Sequence, residues 1–356
     1  MVLKKLYAVL KLTKACNLDC VYCYESKSEN KIISESLLLK CLDEITGISE
    51  DTTIILHGGE PMLINKKILT NFLEKGEEKK REGKKISINI QTNGMQIDRE
   101  WIEILKKYNI AVGISIDGHE ELHDKYRSTR NGKGSHKTVL ENLTIAGLSG
   151  LDKNCLCVIT KDSLTNIRHI FDFFDGLEIQ NIDFLPCMTG NVYHKGQITN
   201  LTLSPEDYAK FIIQYYELWK NSKSSYSVRS FSDFINILNK KDSVTCSLIY
   251  PKICGWEVIS VDTDGDVYPC DSFAGIEEMK MGNIEEDGLE KIFNSEKIKK
   301  FQEVANTIPE DCESCIYLQY CFGGCLYHRY FKTRTFEAKS YYCEAYKKIF
   351  RYLKKQ

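Results

Sequence analysis

Length, composition and charge narrow the classes of protein to consider. The chain has 356 residues, 48 of them basic and 50 acidic, and its formal charge is −2. The length suits one large domain with a smaller one, and the balanced charge gives no reason to expect nucleic acid or a membrane surface as the main partner. The sequence has no run of about 18 apolar residues, so it predicts neither a membrane span nor a signal peptide, and we expect a cytoplasmic protein.

The first part of the chain alternates β-prone and helical segments. The predicted strands cover residues 7–13, 52–59, 85–94, 110–118, 154–160 and 181–187. The predicted helices lie near residues 34–46, 66–82, 98–107, 136–149 and 166–174, and a further helix begins at Ser204 and Pro205. Such strand–helix units predict parallel strands with right-handed crossovers. We therefore predict an α/β fold with an open, partial (β/α)6 barrel, whose functional groups lie at the carboxyl ends of the strands.

The pattern changes after about residue 245. The stretch "VISVDTDGDVYPC" has alternating apolar residues on both sides of Asp264-Gly265, which is typical of a β-hairpin. We predict a barrel domain over residues 1–220, a bridging segment over 221–245 and a cysteine-rich domain over 246–356.

The chain contains 15 cysteines. Their odd number and the expected reducing compartment favour metal or redox chemistry over disulfides. Three lie near the N-terminus, and eight lie in the C-terminal region: Cys16, Cys20 and Cys23, then Cys246, Cys254, Cys270, Cys312, Cys315, Cys321, Cys325 and Cys343. Three, four and four thiols suit one open and two closed four-iron clusters. A zinc site with four thiolate ligands remains an alternative for Cys312 to Cys325.

The remaining cysteines have a simpler interpretation. Cys41 lies on an apolar helix face, and Cys155 and Cys157 alternate along a strand, so we expect all three to pack in the core. Cys187 follows the last barrel strand, and either packing or a contact with substrate would explain it.

The N-terminal stretch "KLTKACNLDCVYCYE" resembles the cysteine loop of the radical S-adenosylmethionine (SAM) enzymes. In that family three thiolates bind a [4Fe-4S] cluster, and the amino and carboxylate groups of SAM occupy the fourth iron. The resemblance implies that Cys16, Cys20 and Cys23 hold this cluster. It further implies that the Gly58-Gly59-Glu60 turn binds the SAM amino group, Ser115 the ribose, Arg127 the carboxylate, and Leu185 and Tyr22 the adenine.

The C-terminal cysteines resemble the SPASM extension of the same superfamily. The matching pattern is Cys254-x10-Gly265-x4-Cys270, then CxxC-x5-CxxxC, then Cys343. The resemblance implies two auxiliary [4Fe-4S] clusters with interleaved ligands. One set is Cys254, Cys270 and Cys325, with Cys246 as the candidate fourth ligand, and the other is Cys312, Cys315, Cys321 and Cys343.

The family chemistry implies an oxidation of the substrate. An electron from a donor such as flavodoxin or ferredoxin cleaves SAM to methionine and a 5′-deoxyadenosyl radical, which removes a hydrogen atom from a C–H bond. The auxiliary clusters then accept an electron, and a base removes a proton. Asp271 matches the base of the anaerobic sulfatase-maturing enzymes, and we expect desolvation to raise its pKa.

Two substrate classes compete. The stretch "YPCDSFAGIEEMKMGNI" resembles thioether-forming peptide maturases and favours oxidation or crosslinking of a ribosomally made peptide, whereas Asp271 favours formylglycine formation on a sulfatase. We prefer the peptide substrate, and a small-molecule substrate or a non-catalytic iron–sulfur scaffold remain alternatives. Only 15 residues precede Cys16, which is too few for the leader-binding domain that many peptide maturases carry at the N-terminus. We therefore expect a leader peptide to bind in the cleft between barrel and SPASM region or on a separate leader-binding protein.

Overall fold

The structure is a computed structural model that describes residues 2–25, 30–189, 199–243 and 245–356. Ten strands form one sheet in the order β10-β9-β8-β1-β2-β3-β4-β5-β6-β7. The strands are β1 (Leu3–Thr13), β2 (Ser49–Gly58), β3 (Lys85–Thr92), β4 (Ala111–Ser115), β5 (Asn154–Ile159), β6 (Asn181–Pro186), β7 (Ser227–Val228), β8 (Val258–Val261), β9 (Asp266–Tyr268) and β10 (Gly282–Asn283).

The first six strands are the predicted parallel strands, and each pairs in parallel with the next along the chain. In β1 every second side chain is fully buried, from Leu6 through Ala8 and Leu10 to Leu12. This period of two places one face of the strand against the core. The sheet remains open, so the prediction of a partial α/β barrel is confirmed.

The helices pack around this sheet. They are α1 (Glu35–Ile48), α2 (Lys66–Arg81), α3 (Arg99–Lys107), α4 (Glu120–Tyr126), α5 (His136–Leu148), α6 (Ile167–Asp175), α7 (Pro205–Lys220), α8 (Arg229–Leu238), α9 (Leu289–Asn294), α10 (Glu296–Asn306), α11 (Glu310–Glu313), α12 (Leu318–Cys321), α13 (Leu326–Thr333) and α14 (Cys343–Leu353). Ser34, Asp98 and Ser204 cap α1, α3 and α7 by accepting backbone N–H groups, as N-cap residues do. None of the helices within the described ranges has the length and apolar character of a membrane span.

The C-terminal region joins the barrel through its hairpin. Strands β8 and β9 pair in an antiparallel manner around the predicted Asp264-Gly265 turn. The sequence did not predict that β8 also pairs in parallel with β1, where Tyr7 lies opposite Val258 and Leu10 opposite Val261. This pairing continues the barrel sheet into the cysteine-rich region, and it brings the segment after β9 beside the carboxyl end of β1. The proposed boundaries at residues 220 and 245 stay a prediction.

Candidate active site

A cavity of about 430 Å³ opens at the carboxyl ends of the barrel strands. Its wall combines the N-terminal cysteine loop, strand ends from β2 to β6 and the segment after β9. Ten predicted site residues line it: Cys16, Cys20, Tyr22, Cys23, Gly58, Gly59, Ser115, Arg127, Leu185 and Asp271. The fold therefore brings together residues that are up to 255 positions apart in the sequence, from Cys16 to Asp271.

Backbone contacts hold the cysteine loop against the Gly58-Gly59 turn. The amide of Gly59 donates to the carbonyl of Thr13 at 2.7 Å, and the amide of Glu60 donates to the carbonyl of Ala15 at 2.9 Å. A Cβ atom on Gly59 would lie 2.3 Å from the Ala15 carbonyl oxygen, so a side chain is excluded there. The two glycines therefore permit a close approach of the turn to the backbone after β1, and this approach fixes the position at which the cysteine loop begins.

The three N-terminal thiols fit an iron–sulfur cluster. All 15 cysteines lie among the described residues and are free thiols. Cys16, Cys20 and Cys23 share the cavity wall, and each is half-buried. Burial raises the pKa of the Cys16 thiol to about 12, with further increases from Glu60, Cys20 and Cys23. Without a metal the Cys16 thiol would therefore be protonated, and three thiolates side by side require a cation such as iron.

An ion pair orders the opposite wall of the cavity. Arg127 donates from Nε to Oδ2 of Asp117 at 2.9 Å, and both side chains are buried. The Tyr22 hydroxyl donates to the same carboxylate oxygen, and the Arg127 guanidinium lies over the Tyr22 ring at 5.4 Å. The other Asp117 oxygen accepts the amide of Val158 at 2.9 Å. Asp117 therefore positions two of the predicted SAM-binding residues at once.

The remaining predicted SAM contacts have different surroundings. Ser115 accepts a hydrogen bond from Gln91 at 3.0 Å, and the Leu185 side chain is 37% exposed at the cavity. Glu60 is not part of the cavity wall, and its predicted contact with SAM stays a prediction. Its carboxylate is fully buried and accepts hydrogen bonds from the Met62 amide, the Thr92 hydroxyl and the Asn93 amide. Burial nevertheless raises its pKa to about 7, and its role in this structure is to join β3 to the glycine turn.

Asp271 lies in a polar cluster that the sequence did not reveal. Its Oδ2 accepts the Tyr24 hydroxyl at 2.5 Å, and its Oδ1 lies 3.4 Å from the Lys11 ammonium. Lys11 is 1% exposed and also pairs with the buried Glu25. Ligand atoms of Glu25, His57 and Asp271 lie within 4.8 Å of one another. A cation would suit these groups, and the Lys11 ammonium already supplies a positive charge there.

The environment of Asp271 corrects the expectation about its pKa. Burial raises the pKa of this carboxyl, as predicted, but the charges of Lys11 and His57 and hydrogen bonds from Tyr24 and Lys11 outweigh burial. The net result is a pKa below the ordinary value. Asp271 is therefore a carboxylate at neutral pH that is held in position by its neighbours.

The eight C-terminal thiols fall into two groups. Burial is the largest cause that raises the pKa values of Cys254 and Cys270. Electrostatic repulsion from Cys246 and Cys325 raises both pKa values further. In the other group the interacting thiols are Cys312, Cys315, Cys321 and Cys343. Cys246 is the exposed member of the first group, although burial of its thiol raises its pKa to about 11. These groups have the composition of the predicted ligand sets, whose assignment stays a prediction.

The four other cysteines lie in two settings. Cys41, Cys155 and Cys157 are buried in the hydrophobic core. Cys187 is 1% exposed and also contributes to the cavity wall. Both of the interpretations given for Cys187 therefore remain open.

Sequence reasoning assigned no site role to several residues at or beside the cavity. Lys11, Tyr24, Glu25 and His57 surround Asp271, and Asp117 holds Arg127. Tyr24 and Glu25 directly follow Cys23, and a lysine within the apolar pattern of β1 is unusual, so these were the available signals.

Family models and relatives cover nearly the whole chain. The model of the Radical SAM superfamily matches residues 10–174, and that of an iron-sulfur cluster-binding domain, SPASM, matches residues 253–316. A cysteine-type anaerobic sulfatase-maturating enzyme of Clostridium novyi is 29% identical over 94% of this chain and 91% of its own length. The serine-type enzyme of Bacteroides thetaiotaomicron is 28% identical over 98% and 90%.

Solved structures of radical SAM enzymes also resemble this chain in fold. The structure of native anSMEcpe with bound AdoMet and Cp18Cys peptide superposes with a TM-score of 0.89 at 25% identity, over 99% of this chain and 97% of that chain. Streptococcus suis SuiB bound to precursor peptide SuiA shares the fold, with a TM-score of 0.67 at 18% identity over 95% and 75%. The match to an iron–sulfur domain favours clusters over the zinc alternative for the C-terminal cysteines. The chain belongs to the radical SAM enzymes with a SPASM domain, and its cofactors are SAM and [4Fe-4S] clusters, auxiliary clusters included.

Proposed function

We propose that this enzyme matures a sulfatase by oxidising a cysteine or serine side chain to formylglycine. The observation that carries the proposal is the similarity along nearly the whole chain to anaerobic sulfatase-maturating enzymes of both the cysteine and serine types. The similarity to SuiB is lower and shows the fold alone. The comparisons therefore favour the alternative substrate over the peptide crosslinking that the sequence led us to prefer.

The first part of the proposal assigns the cofactor ligands. Cys16, Cys20 and Cys23 hold the cluster that binds SAM, and Arg127 and Ser115 bind SAM itself. The auxiliary clusters take the two C-terminal sets of four cysteines, with Cys246 in the set of Cys254, Cys270 and Cys325. When bound, these cofactors supply the oxidising chemistry that breaks a substrate C–H bond.

The second part concerns the substrate side chain. Asp271 lies in the same cavity as the three-cysteine loop, so a substrate residue between them has its C–H bond near SAM and its S–H or O–H bond near a carboxylate. Because the pKa of Asp271 is lowered, the carboxylate is ionised and ready to accept this proton at neutral pH. Tyr24 and Lys11 keep it oriented.

The atoms and electrons of the proposed reaction balance without oxygen. The substrate side chain loses two electrons and two protons, one proton from carbon and one from sulfur or oxygen. A serine gives the aldehyde directly, whereas a cysteine gives a thioaldehyde that water converts to the aldehyde and hydrogen sulfide. SAM would take one of these electrons together with the hydrogen from carbon, after one electron from the donor has cleaved it, and Asp271 would take the proton from sulfur or oxygen. The second substrate electron would leave through the auxiliary clusters to an acceptor of the ferredoxin or flavodoxin class, which is part of the proposal and which offsets the electron spent on SAM.

The test uses the anaerobically reconstituted enzyme and three peptides that differ only at the target residue, which is cysteine, serine or alanine. We expect mass spectrometry to show an aldehyde from the cysteine or serine peptide and an unchanged alanine peptide. The Asp271→Asn variant should still cleave SAM but yield at least tenfold less aldehyde. A crosslinked product would replace this proposal with the crosslinking alternative. SAM cleavage with every such peptide left intact would also overturn the proposal.

A further inference from the structure

Two buried cations lie among the C-terminal cysteines. Arg329, on α13, is 1% exposed, and Lys252, two residues before Cys254, is 4% exposed. Lysine and arginine are rarely this buried unless they are paired. Each of these buried charges is therefore expected to have a partner nearby.

Carbonyl oxygens accept hydrogen bonds from both cations. Arg329 donates to the carbonyls of Gly323 at 3.0 Å, Thr307 at 2.8 Å and Phe322 at 3.3 Å. Lys252 donates to the carbonyl of Ser247 at 2.9 Å. These bonds orient the groups, but a carbonyl is neutral and does not cancel a charge.

Neither cation has a carboxylate partner in the described part of the chain. The ion pairs found there leave out both residues. The side chains whose charge would stabilise the Arg329 cation are cysteines from both proposed ligand sets, Cys312 and Cys321 as well as Cys325 and Cys254. Lys252 and Arg329 also repel each other. Two unpaired buried charges that repel one another are costly, so the site requires an anionic group that offsets them.

The geometry around Arg329 is tight. A Cβ atom on Gly323 would lie 2.0 Å from its Nη2 atom, so glycine leaves the space that the guanidinium fills. The backbone amide of Arg329 donates to the carbonyl of Cys325 at 3.1 Å. The guanidinium is thus fixed on the loop between Cys321 and Cys325, which are members of different ligand sets.

We propose that Arg329, assisted by Lys252, sets the reduction potentials of both auxiliary clusters by holding fixed positive charge between the two ligand sets. A cubane with four thiolate ligands is an anion, and an added electron makes it more negative. A fixed cation nearby favours the reduced state, since cluster charge and surroundings set the potential. Arg329 acts through the clusters and does not touch the substrate. This inference rests on the proposed cysteine ligand sets and not on which residue the enzyme oxidises.

The test compares the reduction potentials of variants of the full chain, reconstituted anaerobically and matched for iron content. Arg329→Gln removes the charge, and Arg329→Lys keeps it. Arg334→Gln is the matched control, because it makes the same chemical change at an exposed position five residues further on. Electron paramagnetic resonance follows the reduced clusters during a redox titration, and the signal that changes when SAM is added identifies the cluster of the three-cysteine loop.

At a fixed potential, we expect Arg329→Gln to lower the reduced-to-oxidised ratio of both auxiliary clusters about tenfold, which is about 59 mV for a one-electron couple. The SAM-sensitive signal, the Arg329→Lys variant and the Arg334→Gln control should each stay within about threefold of the unmodified enzyme. Unchanged auxiliary potentials in fully loaded Arg329→Gln would overturn the proposal. So would an equal shift in Arg329→Lys.

A second variant tests the proposal if Arg329→Gln does not take up its full iron. Lys252→Gln removes the other cation and loses one carbonyl contact, and we expect a shift of the same sign. Full iron with no shift in Lys252→Gln would then count against the proposal. Failure to form aldehyde in the peptide assay would leave these potentials unaffected, so the two proposals fail separately.

Discussion

The barrel cavity and the C-terminal cysteine region balance their buried charges in different ways. In the cavity, Arg127 pairs with Asp117, and Lys11 lies between Glu25 and Asp271. In the C-terminal region, Arg329 and Lys252 donate to carbonyl oxygens, and the cysteines act on both cations electrostatically. We infer from this comparison that the protein alone preorganises the proposed SAM site, whereas the C-terminal region needs its cofactors to complete its electrostatics.

The largest expected effect comes from removing iron, which tests this comparison directly. Chelation of the reconstituted enzyme should leave the C-terminal cations without an anionic partner, because metal binding and folding are coupled. We expect amide hydrogen exchange over residues 312–343 to accelerate at least a hundredfold, while the β1–β3 core changes less than about threefold. Equal acceleration in both regions would contradict the comparison.

The next effect concerns the buried ion pair of the cavity. Asp117→Asn leaves the Arg127 guanidinium buried without its counter-charge, and breaking such a pair costs about 3–5 kcal/mol. We expect a markedly lower thermal midpoint and weaker SAM binding, measured by calorimetry on loaded enzyme. Asp152→Asn is the control, since it makes the same change at an exposed position. If both variants behaved alike, the ion pair would not be what organises the cavity.

A smaller effect is expected from Lys11→Met. Without the ammonium, burial dominates the surroundings of Asp271, and its pKa rises. At neutral pH we expect aldehyde formation to fall about tenfold to hundredfold, or about 1.4–2.7 kcal/mol, with a smaller loss in SAM cleavage. Lys5→Met, on the same strand, should be nearly neutral. Equal losses in both activities would place Lys11 outside the proton-transfer site.

The smallest effect is a pH dependence of barrel stability. Burial lowers the pKa of His123 to about 4, and its Nδ1 accepts the Asp117 amide at 3.2 Å. Because the folded state binds this proton less readily than the unfolded state, stability is complete above the ordinary histidine pKa and falls as the pH drops towards 4. This loss amounts to about 2 kcal/mol at pH 5.

The His123→Asn variant separates this group from other acid-sensitive groups. The amide oxygen of asparagine can accept the same backbone N–H, but the side chain does not titrate. We expect thermal midpoints measured between pH 7 and 5 to vary less in this variant than in the unmodified enzyme. Parallel curves would assign the acid sensitivity to other groups.

Features that depend on short stretches of sequence were predicted. The six strands follow from short apolar patterns, and the cluster motifs follow from cysteine spacing, so neither needed knowledge of distant contacts. The expectation of a raised pKa for Asp271 was wrong for a physical reason. The charges that lower this pKa come from β1 and β2, far away in the sequence. The hydrogen bonds of Glu60 to the end of β3 are a further long-range feature that the turn motif did not reveal. Pairing of charges across the fold is a tertiary property that spacing does not report.

The pairing of β8 with β1 was also beyond local prediction, because β8 has only four residues. It has a consequence for any attempt to produce the barrel alone. Ending the chain before Val258 would strip β1 of a hydrogen-bonding neighbour along Tyr7–Leu10 and leave a bare strand edge. Such edges recruit strands from other molecules. The shortened protein would then be prone to self-association even if every residue of the proposed SAM site were intact.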